Sequence, residues 1–327
     1  MINSIQYLRG VAALLVVYYH STIKAVQNDL PTAEIFNIGE SGVDLFFIIS
    51  GFIICFVTDK KDFNCFEFLK LRVLRIIPLY WFFTLIALVA YFAVPSMVNS
   101  SGGETLIFES FFLIPTESKY LIQNGWTLSY EFYFYIICAV LLFFNLNKIW
   151  LLTILCFLPV LSYWFDLYFF FDKFLIEFAM GALSYIVYTK KTHYKLQSTV
   201  ILVLLLGYCF LITSTNLSNR VILYGVPMWL LFHAGLLINT HLKYLDTKIA
   251  GRFLHLLGDS SYSLYLSHTF ALVFFNKIYI YLLGNNNLIG YLLFLSCTSV
   301  LCGCFVYKYI EVPLNYQVKK YLHNAEK

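Results

Sequence analysis

Residues 9–20 read RGVAALLVVYYH, a guanidinium and an imidazole at the two ends of an otherwise uncharged, apolar run. The run has the character of a membrane helix, and it sets the fold class as all-α. Arg9 and His20 are eleven positions apart, almost three turns at about 3.6 residues per turn, so they share one helix face with roughly 16 Å between them. Ionisable side chains inside a membrane are costly and usually face a protein interior or a wet cavity, so the pair reads as a site. A plainer reading stands beside it, in which Arg9 snorkels to the inner end of the helix and His20 makes a hydrogen bond to a neighbouring helix.

The rest of the chain agrees with that stretch. Of its 327 residues 60% are hydrophobic and only 12% charged, against about a quarter charged in soluble proteins. This is the composition of a polytopic membrane protein. The first apolar stretch lacks a small-residue cleavage pattern and is expected to stay as a mature span. The net charge of +4 follows the loops and gives no reason to expect a nucleic-acid partner. The eight cysteines show no metal-ligand spacing and read as small core residues, so no metal is expected.

At about 20 residues per span the chain predicts ten helices, near 5–25, 42–58, 76–95, 125–145, 149–165, 168–189, 198–214, 221–240, 261–283 and 288–310. With both termini cytoplasmic, the inner segments hold 16 of the 22 Lys and Arg. The outer loops hold Lys24, Lys119, Lys173 and Arg220 beside eight acids. That asymmetry satisfies the positive-inside rule. The whole of 1–327 reads as one membrane domain with no appended soluble domain, and the longest outer connection, about 96–124, could fold over the outer mouth. No internal repeat is visible, which weakens a transporter reading.

Three titratable groups are expected at similar depth: His20, Asp44 in GESGVDLFFIISGF, and Glu131 about two turns into NGWTLSYEFYF. A carboxylate beside a histidine selects its tautomer and stabilises its protonated form, as a general base requires. Asp44 also fits an ordinary acid at a helix N-terminus, and Glu131, among Trp126, Tyr130, Phe132 and Tyr133, a partner for a buried arginine. On the inner side, Arg72 and Arg75 are three apart and could clamp a phosphate together. Lys60 and Lys61 are explained by anionic lipid alone. Gly258 and Asp259 read as a turn and a cap ahead of the ninth span.

Taken in order, Arg9 and His20, SGVDLFFIISGF at 41–52, RVLRIIPLYW at 72–81, WTLSYEFYF at 126–134, GDSSYSLYLSH at 258–268 and EVP at 311–313 resemble the acyltransferase 3 family of integral membrane acyltransferases. The likeness is to its exopolysaccharide and O-antigen acetyltransferase branch, with Phe132 standing where a second polar residue is often found. The resemblance implies a multi-pass protein of the bacterial inner membrane that takes an acyl group from cytoplasmic acetyl-CoA, a co-substrate, and passes it to a sugar hydroxyl. It implies that Arg9 and His20 are essential, that Arg72 and Arg75 are the cytoplasmic Arg-x-x-Arg, and that Ser50, Gly51 and Phe52 form the small-residue motif. Trp126 and Glu131 belong to the fourth-span motif, and Tyr130 beside Trp126 is expected to face the acceptor.

His268, about 12 Å from the inner surface by count, is expected to line the acyl-CoA passage or to pack in the core. His193, His241, His255 and His323 are expected in solvated segments, and His233 has no partner that the sequence names. The expected partners are membrane lipid and a sugar or polysaccharide acceptor, with a homo-oligomer left open. A lipid, peptidoglycan or secondary-metabolite acceptor remains an alternative, as does a transporter or flippase for lipid-linked sugar.

Overall fold

A computed structural model describes residues 2–60, 64–98, 102–162, 164–165, 169–189, 219–239 and 248–325. The seventh expected span, at 198–214, and His193 and His241 lie outside the described residues. Within them the protein is all-helical, its only β pairing an isolated bridge between Thr105 and Lys119. Five helices are long and apolar enough to cross a membrane, and three shorter ones are apolar. The described residues are therefore those of a helical membrane protein.

Helix α1 runs unbroken from Asn3–Gln27 and carries both Arg9 and His20, as expected. It is long enough to span but more polar than the five. A turn of 3-10 helix, Asn37–Ser41, leads into α2, Gly42–Lys60. Helix α3, Cys65–Ala93, begins eleven residues before the expected third span. Its N-terminal turns are made by CFEFLKLRVLR, whose leucines, lysine and arginines are good helix formers although too polar to register as membrane sequence. Arg72 and Arg75 thus ride on the same rod as the span.

The connection after α3 does not simply cap the outer end. A short helix α4, Ile107–Phe112, is held against the middle of α3: the Tyr80 hydroxyl donates to the Ser110 carbonyl (2.6 Å) and the Trp81 indole N–H to that of Phe111 (2.8 Å). Tyr80 lies 13 residues before the end of α3, about 20 Å along the helix. Next come α5 (Gly125–Phe143), α6 (Lys148–Leu161) and α7 (Phe174–Thr189). A π turn at Val221–Gly225 then enters α8, Val226–Leu237.

Helix α9, Ile249–Asp259, holds Gly258 inside the helix, not at a turn. A Cβ on Gly258 would lie 2.2 Å from the Gln6 carbonyl oxygen, so the glycine serves a close backbone approach. Ser260 starts the next helix, α10 (Ser261–Leu283). Helix α11 (Leu288–Val306) continues through a π turn at Tyr307–Glu311 into α12, Val312–Ala325.

The described chain packs as two compact units, each drawn from separated stretches. The first comprises Met1–Val16, Asn37–Cys65 and Ile136–Asp259; the second comprises Val17–Phe36, Phe66–Tyr135 and Ser260–Lys327. In the first, α2 and α7 cross with backbone on backbone. A Cβ on Gly51 would lie 2.2 Å from the Phe178 carbonyl oxygen, and one on Gly181 would lie 2.1 Å from that of Ile48. Without a hydrophobic drive between helices in lipid, such small-residue crossings let close packing hold a bundle together. In the second, Asn124 donates its amide to the Tyr265 carbonyl (2.6 Å), and Thr127 shares a hydrogen bond with the Tyr265 hydroxyl (2.7 Å). These bonds tie the start of α5 to α10.

Candidate active site

The second unit gathers most of the expected site residues: His20, Arg72, Arg75, Trp126, Tyr130, Glu131 and His268. The half-buried His20 has its ring centroid 5.0 Å from that of His268, and 5.1 Å from its neighbour Tyr19. His268 is fully buried on α10, one residue after the buried Ser267. Its Nδ1 lies 3.1 Å from the Leu264 carbonyl oxygen, one turn back along the helix. A carbonyl oxygen only accepts, so Nδ1 carries the proton there and Nε2 keeps its lone pair. That Nε2 is buried and has no hydrogen-bond partner among the described residues.

Helix α10 continues the polar lining away from this pair. The Tyr265 ring lies 6.0 Å from that of His268. Tyr262, one turn earlier, donates its hydroxyl to the Ile76 carbonyl (2.8 Å) and lies in the electric field of Glu311, Glu131 and Arg75. Glu131, on α5, accepts the hydroxyl of Tyr135, which lies one turn on. The Arg72 guanidinium lies over the ring of that tyrosine, at 5.8 Å, and over Phe68 at 5.3 Å. A line of polar groups therefore joins the Arg-x-x-Arg end of α3 to the imidazole pair within one unit.

The two arginines are not equivalent. Arg72 is buried between aromatic rings, whereas Arg75 is exposed. An exposed guanidinium fits an incoming phosphate, and a buried one stacked on two rings fits an orienting role. Trp126 and Tyr130 meet edge to face at 6.0 Å, with Tyr130 buried.

Arg9 and Asp44 belong to the first unit. Arg9 donates to the Gln6 side chain (3.0 Å), and Gln6 donates to Asp259 (2.8 Å), so the end of α9 orients the guanidinium through a relay. Asp44, completely buried, is held by Arg220 at 2.9 Å; the same guanidinium donates to Glu40 at 2.6 Å and lies over the rings of Phe174 and Tyr224. Glu177, also completely buried, lies beside Asp44. Sequence reasoning missed Arg220 and Glu177 as parts of this group. The signal for Glu177 was present, an acid inside an expected span; Arg220 read as an outer-loop cation and carried none.

Ser50 is half-buried, Gly51 makes the helix crossing, and Phe52 sits among Tyr185, Tyr188 and Phe232 with ring centroids 5.2–5.7 Å away. Two histidines gain partners that the sequence did not name: His233 bonds Ser184 (3.0 Å), and the ring of His255, expected in solvent, packs on Tyr7 at 5.0 Å. Among the described residues, no group of three or more His, Cys, Asp or Glu is arranged to hold a metal ion.

The chain belongs to the acyltransferase 3 family, whose acyltransferase-domain model covers residues 2–308. A segment of 124 residues is 34% identical to the exopolysaccharide production protein ExoZ of Rhizobium meliloti (strain 1021), covering 36% of this chain and 38% of that relative. No solved structure matches.

Proposed function

We propose that this protein transfers an acetyl group from cytoplasmic acetyl-CoA to a hydroxyl of a cell-surface polysaccharide or its lipid-linked precursor, with His20 as the reacting imidazole. It does so as a ten-span protein of the bacterial inner membrane with both termini in the cytoplasm, an arrangement supported by the concentration of Lys and Arg in the inner segments. The observation that carries the reading is the contact of His20 with the buried His268 in a member of an acyltransferase family. The name of the Rhizobium relative favours an exopolysaccharide acceptor over the lipid and small-metabolite alternatives.

Acetyl-CoA supplies an activated acyl carbon and a thiol leaving group. The exposed Arg75 holds its phosphates at the cytoplasmic side, with the buried, ring-stacked Arg72 orienting that end of α3. Arg9 and His20 stand roughly 16 Å apart along one helix, a separation comparable with the pantetheine arm. Trp126 and Tyr130 offer an aromatic edge to the acceptor.

A ring nitrogen of His20 takes the proton from the acceptor hydroxyl as its oxygen bonds to the acyl carbon. The carbon–sulfur bond breaks, and the imidazolium returns the proton to the departing sulfur. Glu131, in the same unit as His20, adjusts the field around the proton. In the covalent variant the nitrogen first accepts the acetyl group itself. The proposal is tested by comparing the mass of the surface glycan in cells carrying the wild type or His20→Ala: acetyl-sized increments should vanish while glycan quantity stays constant. Loss of the glycan itself with normal acetylation would favour the transporter. Radiolabelled acetyl retained on purified His20→Ala would exclude the covalent variant.

A further inference from the structure

A general-base histidine needs a partner on its second nitrogen to orient the ring and to stabilise the charge it gains. Sequence reasoning looked for a carboxylate in that role. The two expected candidates are already engaged: Asp44 with Arg220, and Glu131 with the Tyr135 hydroxyl. Against the His20 ring the structure places a second imidazole, that of His268.

We propose that His268 is the positioning residue for His20, accepting the N–H of the His20 imidazole on its own Nε2. The Leu264 carbonyl holds the proton on His268 Nδ1, so the lone pair at the far side of the ring is committed to accepting. This Nε2 is fully buried and has no hydrogen-bond partner, in a ring 5.0 Å from that of His20 and tilted 58° to it. Leaving a buried acceptor unmatched costs about 1–3 kcal/mol, and an N–H from His20 removes that cost.

Rotation of His268 is resisted by its surroundings. The ring is packed against Tyr265, and Tyr265 is bonded through its hydroxyl to Thr127 and through its carbonyl to Asn124. With one nitrogen of His20 donating to His268, the other carries the lone pair that takes the proton of the acceptor hydroxyl. When His20 takes that proton, the bond to His268 becomes charge-assisted and strengthens as the transition state forms. No net charge is placed beside the thioester before reaction, which distinguishes this partner from a carboxylate. The inference rests on His20 being the reacting imidazole.

The test uses the full chain in lipid nanodiscs. In protein labelled with 15N-histidine, a hydrogen-bond coupling between the two imidazoles is expected, with His268 protonated on Nδ1. It should disappear in His20→Ala and in His268→Asn. Acetyl transfer is then followed in three variants of His268. Glutamine places an acceptor oxygen near the position of Nε2, so His268→Gln should keep kcat within about 3-fold. His268→Asn, whose polar atoms reach only the Nδ1 position, and His268→Phe should each lose about 10²-fold in kcat with KM for acetyl-CoA unchanged.

Wild-type protein without the coupling overturns the proposal, as does His268→Asn with wild-type kcat. Equal losses in the glutamine and asparagine variants also overturn it, because they signify packing alone. An active His20→Ala together with an intact wild-type coupling would instead remove the functional reading and leave the imidazole pair standing.

Discussion

Around Arg220, in the first unit, buried charge meets opposite charge: one guanidinium serves Asp44 and Glu40 and lies over two aromatic rings, with Glu177 beside Asp44. Around His268, in the second unit, the ring has one bond to its own helix, and its other nitrogen is buried with none. The first arrangement balances charge within itself although, among the described residues, Asp44 Oδ1, both Glu177 carboxylate oxygens and Arg220 Nε are also buried without a hydrogen-bond partner. The second is a pair of imidazoles with no ion pair between them. Both are clusters of ionisable residues among apolar helices, so it is the presence of a paired guanidinium that separates the charge-balanced cluster from the one proposed to react.

The largest effect is expected at the packing that supports the charged cluster. Gly51→Val sets a branched side chain where even a Cβ meets the Phe178 carbonyl at 2.2 Å, so folded protein should be absent by size-exclusion profile. Wild-type accumulation would show that α2 and α7 separate readily. Next comes His20→Ala, which should lower acetyl transfer by about 10²–10⁴-fold while the melting temperature in detergent stays near that of the wild type.

Arg220→Met should do the reverse. It strands Asp44 in the interior, and with the arginine and Glu40 partly open to solvent the loss should fall near the lower end for a broken buried pair, about 3 kcal/mol. Adding Asp44→Asn should recover part of it in a thermal melt. An Arg220→Met protein of full stability and no activity would erase the contrast drawn above. The smallest effect is expected from Arg72→Lys. Loss of guanidinium stacking over Phe68 and Tyr135 should cost about 1 kcal/mol, whereas Arg75→Lys, exposed, should keep wild-type stability and change only the KM for acetyl-CoA.

Much of this was readable in the residues. The apolar run around Arg9 and His20 predicted one helix, and α1 carries both without interruption. The early start of α3 was hidden because charged helix formers carry no membrane signal, yet they extend a helix once a span has nucleated it. Gly258 read as a turn because glycine's commonest use is conformational; here it provides room for the Gln6 carbonyl. Partners distant in sequence were the least legible: Asp44 and Arg220 lie 176 residues apart, and no periodicity relates positions on helices so far separated along the chain. His20 and His268 were both singled out, but their contact was not: α10 starts and ends where the ninth span was expected, at 261–283, yet hydropathy does not say which faces of separate helices meet.

The crossing of α2 and α7 has a mechanical consequence. Most helix pairs can slide because the side chains between them change rotamer, and shear motions are built from such adjustments. At Gly51 and Gly181 main chain abuts main chain, so there is no pliable layer to yield. These two helices turn together as one stiff board, and any widening of the first unit has to come from elements hinged elsewhere.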